Sequence, residues 1–161
     1  MSQEVKNIVR QAVIAGLYVA LTLLIIPYAY GPIQFRISEI LILLCFFRRD
    51  YIIGLIVGCF LANFFSLMPL TDIPFGTLAT AISVFLISRS KNLYFSIIYP
   101  VLFNGLIIGI QLNLVFHEPL FLSMLYVALG EFVVLLIGVL IFRVLGKNKA
   151  FLELIDANQN L

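Results

Sequence analysis

Six apolar stretches separated by short polar breaks run along the chain. They predict helices over residues 5–26, 37–47, 51–65, 73–88, 93–116 and 120–145, followed by a more polar tail at 151–161 lying at the cytoplasmic surface. Crossing the hydrocarbon core takes about 20 residues of helix. The stretch at 37–47 is well short of that, so either its N-terminal end begins inside the outer leaflet or the loop before it dips in. That loop, 27–35, holds two prolines, one glycine and three aromatics, and is too apolar for an ordinary exposed connection. Irregular backbone at membrane depth persists only where protein buries it or where it lines a cavity. The expectation is a loop folded over the outer mouth of a cavity, with a second flap on the same side at 67–72. The plainer alternative is that both segments merely cap the bundle.

Charge gives these stretches a direction. Nine of the ten Lys and Arg residues fall in alternate breaks: Lys6 and Arg10, then Arg48 and Arg49, then Arg89 and Lys91, then Arg143, Lys147 and Lys149. The intervening breaks carry no Lys and one Arg, Arg36. Positively charged loops stay cytoplasmic, which predicts six crossings with both termini inside. The fold class expected is therefore an all-α membrane protein, a six-transmembrane-helix bundle forming a single domain over residues 1–161.

Composition agrees. The chain is 63% hydrophobic and 11% charged, against roughly 45–50% and 25% in soluble domains. One core could not hide so much apolar surface from water, so lipid must be the solvent. The net charge of +2 is spread along one membrane face and forms no nucleic-acid patch. Cys45 and Cys59 lie inside apolar stretches and read as small hydrophobes, not as a disulfide or metal pair. The first stretch ends without a small-residue cleavage site, so it reads as a retained helix and not a signal peptide.

Small residues recur at four-residue spacing in three helices: Ala12, Gly16 and Ala20; Gly54, Gly58 and Ala62; Gly105 and Gly109. Such spacing places each set on one helix face and permits close approach. In the third and fifth helices internal packing is the expected use. In the first, an outside partner is an equal candidate.

Polar groups at membrane depth are costly and mark function by default. Glu131 lies eleven residues into the sixth helix, about 16 Å below its outer end at the α-helical rise. Asn104 has similar depth on the fifth helix, with Gln111 two turns further on the same face. Asn63 lies on the outer part of the third helix. Arg36 and Glu39 share a face at the start of the second, either as a structural ion pair or as part of a ligand site. Asp72, His117 and Glu118 fall in outer loops. Missing motifs narrow the classes: there is no phosphate-binding G-x-x-x-x-G-K-[ST] loop, no G-x-S-x-G elbow, no H-E-x-x-H pair and no Cys/His metal cluster. The chain is expected to be no enzyme, with no catalytic residues, metal or cofactor; binding or transport remains.

The run Tyr30-Gly31-Pro32-Ile33-Gln34-Phe35-Arg36-Ile37-Ser38-Glu39 resembles the substrate-binding (S) components of energy-coupling-factor (ECF) vitamin transporters, most closely the QueT-type queuosine-precursor family. Gly58-Cys59-Phe60-Leu61-Ala62-Asn63 and Asp72-Ile73-Pro74-Phe75-Gly76-Thr77-Leu78-Ala79-Thr80 are similar to the same pattern. The resemblance implies six helices in a prokaryotic cell membrane. It also implies a partner complex, a transmembrane coupling protein with two cytoplasmic ATPases, which would supply the ATP site this chain lacks. In that group a small-residue motif on the first helix docks on the coupling protein, a role Ala12, Gly16 and Ala20 fit.

The cargo implied by the resemblance is a 7-deazaguanine such as the aminomethyl compound preQ1. Its guanine-like edge offers paired N–H donors and calls for a carboxylate. Its cationic aminomethyl group favours a second carboxylate or an aromatic face, and its flat ring wants aromatic walls. Glu131 is assigned to the base edge with Asn104 and Gln111 beside it. Glu39 is assigned to the cation and is held by Arg36. Asn63 and Asp72 add polar contacts, and Tyr28, Phe35 and Phe75 serve as walls. Alternatives are an S component for another vitamin or purine-like heterocycle, and a self-sufficient facilitator.

Overall fold

The computed structural model describes residues 2–30 and 34–157, and among them every regular element is helical. Helix α1 spans Gln3–Leu24 and starts at Ser2, whose side chain accepts a hydrogen bond from the Val5 amide. It ends two residues earlier than the apolar pattern suggests. Ile26–Ala29 forms a separate single turn, α2, with Pro27 in its first turn, where the missing N–H costs no helical bond. A 3-10 helix at Ile37–Leu43 runs into α3, Leu44–Phe47. Then follow α4 (Tyr51–Asn63), α5 (Pro69–Ile87), α6 (Leu93–Ser96), α7 (Ile98–Phe116), α8 (Leu120–Leu145) and α9 (Lys149–Leu154).

Two differences from the sequence pattern have prolines as their cause. Helix α5 begins at Pro69, four residues before the expected start, because proline is pre-organised for a first helical turn. Residues 69–72 of the expected second flap are thus wound into α5, which corrects that reading. The fifth apolar stretch is split at Ile97 into α6 and α7. Pro100 has no N–H to offer the Ser96 carbonyl, so the ladder is interrupted there.

Among the described residues, four helical segments are long and apolar enough to cross a membrane: Glu4–Leu24, Pro69–Ile87, Leu93–Phe116 and Leu120–Leu145. Ile37–Phe47 and Tyr51–Asn63 are shorter apolar segments. The long helices and α4 pack in sequence, α1 on α4, α4 on α5, α5 on α7 and α7 on α8. The 3-10 helix touches α1, α4, α5 and α8, so it lies within this array. The 3-10 helix leaves Ile37 exposed at its start, but its end and α3 are covered: Ile42, Leu43, Cys45 and Phe47 are fully buried. A segment enclosed by protein need not match the bilayer thickness, which accounts for its length. Enclosure also explains how seven residues of 3-10 backbone persist, when such runs rarely exceed three or four.

Glycine sets the close approaches. A Cβ at Gly58 would lie 2.8 Å from the Tyr18 Cβ on α1, and one at Gly109 would lie 2.8 Å from the Met124 Cα on α8. The repeats on α4 and α7 therefore serve internal packing. The α1 set does not: Ala12, Gly16 and Ala20 are all exposed, and nothing lies within 4 Å of a Cβ built on Gly16.

At the basic end, α9 folds back on the bundle. The Phe151 ring sits 6.4 Å from Phe47 and 6.0 Å from Phe142, centroid to centroid. Asp156 pairs with Arg48 at 2.6 Å and Arg10 at 3.1 Å, and the Tyr51 hydroxyl donates to the Ile155 carbonyl at 2.9 Å. The tail is thereby tied to α1 and the α3–α4 turn as far as residue 157; residues 158–161 lie outside the described residues.

A buried polar column and an outer hollow

Helix α5 turns a polar stripe inward. Asp72, Gly76 and Thr80 recur every four residues and are all buried. Each level of the stripe meets a different helix. At the level farthest from the basic end the Gln111 amide of α7 donates to the Asp72 carboxylate and, at 3.3 Å, to the Thr71 hydroxyl. At the middle level Gly76 makes room for Asn63 of α4; a Cβ there would come within 2.8 Å of the Asn63 amide nitrogen. At the inner level the Thr80 hydroxyl donates to Glu39 at 3.4 Å.

Glu39 is the centre of the deepest level and is 1% exposed. The Tyr18 hydroxyl of α1 donates to its Oε1, and the Arg36 guanidinium lies 3.8 Å from the same oxygen. Arg36, 4% exposed, is covered by the Tyr30 ring, whose centroid is 5.0 Å from the guanidinium carbon. The Tyr30 hydroxyl in turn donates to the Ala62 carbonyl at 2.8 Å and fixes the ring against α4. Across the bundle, the Asn104 amide of α7 donates to Glu131 Oε1 of α8 at 3.1 Å. Helix α8, which carries Glu131, packs against the 3-10 helix that carries Glu39.

The site is under-satisfied. Five buried atoms have no hydrogen-bond partner among the described residues: Arg36 Nε, Glu39 Oε2, Asn63 Oδ1, Thr77 Oγ1 and Gln111 Oε1. Buried polar groups are normally paired, and each orphan costs about 1–3 kcal/mol, more when charged. A concentration of orphans on 3-10, α4, α5 and α7 residues is what a polar ligand or water would relieve.

Of the ten predicted site residues, eight are brought into or against this column. Arg36, Glu39, Asn63, Asp72, Asn104, Gln111 and Glu131 are buried, and half-buried Phe75 packs against the Ile108–Leu112–Val127 cluster beside it. Half-buried Phe35 follows the chain entering the 3-10 helix. Tyr28 is 67% exposed and stands apart from the column. The grouping also differs in detail from the sequence reading. Gln111 belongs with Asp72 instead of Glu131, and Asp72 sits in the first turn of α5, not in a loop. Cys59 is no simple hydrophobe: its sulfur lies 3.2 Å from the Thr80 hydroxyl and receives the Asn63 amide at 3.5 Å. Sequence reasoning missed Tyr18, Tyr30 and Thr80. The four-residue recurrence of Asp72, Gly76 and Thr80 was the available signal for Thr80.

A hollow of about 350 Å³ opens at the end of α7 and α8 opposite the basic end, lined by residues that include Tyr30, Leu67, Leu112, Glu118, Ser123 and Tyr126. None of the ten predicted residues lines it. Tyr30 belongs to both features, as a wall of the hollow and the cover of Arg36. Of the covering loop expected over this mouth, Gly31, Pro32 and Ile33 lie outside the described residues.

Long apolar helices around a buried, incompletely paired polar column are the build of a membrane protein with an internal polar site. The QueT transporter family model matches residues 8–147. The chain is also 36% identical over 158 residues to the queuosine precursor transporter QueT of Lactococcus lactis subsp. cremoris (strain MG1363), covering 88% of this chain and 93% of that protein. The chain belongs to the QueT transporter family. No solved structure matches it.

Proposed function

We propose that this chain is the substrate-binding subunit of an ECF-type transporter. It captures a queuosine precursor, a 7-deazaguanine such as preQ1, on the outer side of the cell membrane, and partner ATPases drive its uptake. The cargo class follows from family membership and from the name of the Lactococcus relative. The observation that carries the reading at this chain is the pair of buried carboxylates, Glu39 and Glu131, on two helices that pack together, with orphaned Arg36, Asn63 and Gln111 atoms in the same bundle. A deazaguanine has complementary needs: acceptors for its N–H edge, a donor for its ring oxygen, and an anion for its aminomethyl cation.

In this reading the cargo enters through the hollow at Tyr30 and displaces that ring from Arg36, reaching Glu39 on one side and Glu131 on the other. Both termini face the cytoplasm, in keeping with the basic residues clustered at one end. The exposed Ala12–Gly16–Ala20 face supports docking of α1 on a coupling protein, since the bundle itself makes no use of Gly16. The decisive experiment is calorimetric titration of the purified chain with preQ1, competed by guanine, thiamine and riboflavin. Selective preQ1 binding is expected; preference for another heterocycle reassigns the cargo. Uptake into liposomes should need the coupling protein and ATPases, and flux without them would mean a self-sufficient facilitator.

A further inference from the structure

One face of α6, α7 and α8 carries an apolar trough of about 620 Å³, and none of its lining residues belongs to the polar column. It exists because α7 and α8 approach closely at Gly105, where a Cβ would lie 3.0 Å from that of Ala128. Leu102, Leu125 and Phe132 stand out on either side as its rims, each between 42% and 53% exposed. Tyr94 and Phe95 flank its basic end, and the Tyr94 hydroxyl is the one polar side-chain group on its lining.

Two cations sit beyond that end. Lys91 lies three residues before Tyr94. The antiparallel register of α7 and α8 is set by Gly105 against Ala128 and Gly109 against Met124. Arg143 lies eleven residues, about three turns, beyond Phe132 on the same face of α8, toward the end where α6 precedes α7. Both side chains are exposed, and neither pairs with a carboxylate among the described residues. An apolar channel ending at two unpaired cations is complementary to one kind of membrane molecule. A helix from a protein partner would gain nothing from those charges unless it carried acids at that depth.

We propose that the trough seats an acyl chain of an anionic phospholipid, with its phosphate between Lys91 and Arg143. Placing that lipid in the inner leaflet rests on the orientation proposed above; the binding itself does not. Basic sites between helices at the cytoplasmic surface hold anionic headgroups, with a gain of roughly fivefold in affinity per cation.

The chain contains no tryptophan, so a single one introduced by Leu102→Trp reports on the trough alone. The protein is reconstituted in phosphatidylcholine nanodiscs doped with chain-brominated phosphatidylglycerol or, separately, chain-brominated phosphatidylcholine. Because both leaflets carry the probe, topology does not affect the outcome, nor does the identity of the transported cargo. Quenching by the phosphatidylglycerol is expected to exceed that by the phosphatidylcholine, corresponding to about a fivefold or greater preference. Lys91→Gln combined with Arg143→Gln should abolish the difference. Leu78→Trp, on the exposed side of α5, should show none. Native mass spectrometry of the unsubstituted chain should likewise retain phosphatidylglycerol over phosphatidylcholine, which covers the case of a Leu102→Trp variant that folds poorly. Equal quenching by both lipids, or a preference that survives loss of both cations, would overturn the assignment. So would absence of quenching by either lipid with a doubled particle mass, which would mean that a second copy covers the trough.

Discussion

Glu131→Gln separates a ligand role for this carboxylate from a structural one. Glu131 is 3% exposed, and one of its oxygens accepts from the Asn104 amide at 3.1 Å. Glutamine has nearly the same shape and keeps one carbonyl acceptor, so the Asn104 bond can persist. The apo protein should therefore change in stability by no more than about 1 kcal/mol, the net worth of one hydrogen bond. A bound deazaguanine fares differently. It presents N–H donors to a group that has exchanged an acceptor for a donor, and the unpaired buried partner costs about 1–3 kcal/mol. That corresponds to an affinity loss of roughly 5- to 150-fold. The assay is calorimetric titration with preQ1 in detergent, paired with a thermal melt of the same sample without ligand. Wild-type affinity in the variant removes Glu131 from the site. A large fall in apo stability, with affinity lost in proportion, would show that the carboxylate holds the bundle together instead.

Tyr18→Phe deletes the hydroxyl that donates to Glu39; apo stability should fall by about 1.5–3 kcal/mol, the range for bonds to charged groups, measured by melting with and without preQ1. Gly109→Ala forces a methyl to within 2.5 Å of the Met124 Cγ and 2.8 Å of its Cα, and overpacking of that kind should cost about 1–3 kcal/mol. Gly16→Ala meets nothing within 4 Å and should leave stability unchanged or raise it by up to about 1 kcal/mol. Gly16→Leu should keep both the melt and preQ1 binding while reducing copurification with the coupling protein; undiminished copurification would remove α1 from the docking surface. Asp156→Asn keeps a residue that tolerates the left-handed backbone found there, φ 55°, but removes the charge facing Arg10 and Arg48. It should accelerate tryptic cleavage at Lys147 and Lys149 while changing global stability by less than about 1 kcal/mol.

The order of apolar stretches, the basic bias of one end and the candidate polar residues were all legible before any coordinates. The reason is physical: a residue's compatibility with hydrocarbon is a property of its own side chain, so a run of such residues, or an exception like Glu131, declares itself locally. The two tight glycine seams were legible for the same reason, since four-residue spacing defines a helix face without reference to its neighbour. Which neighbour fills that face is another matter. Gly58 meets α1 and Gly109 meets α8, while the equally regular Ala12–Gly16–Ala20 set meets nothing within the chain.

Tertiary structure decided the rest. It converted the short second helix from a deficient span into a largely enclosed 3-10 segment, because four packed helices replace most of the lipid around it and relax the length requirement. It divided one expected cluster of polar groups into Asp72–Gln111, Glu39–Arg36 and Glu131–Asn104 pairs. It also recruited Tyr18, Tyr30 and Thr80, whose hydroxyls are unremarkable in the sequence. Hydrogen bonds reach about 3 Å, and only the packing of helices far apart in the chain brings donors and acceptors that close.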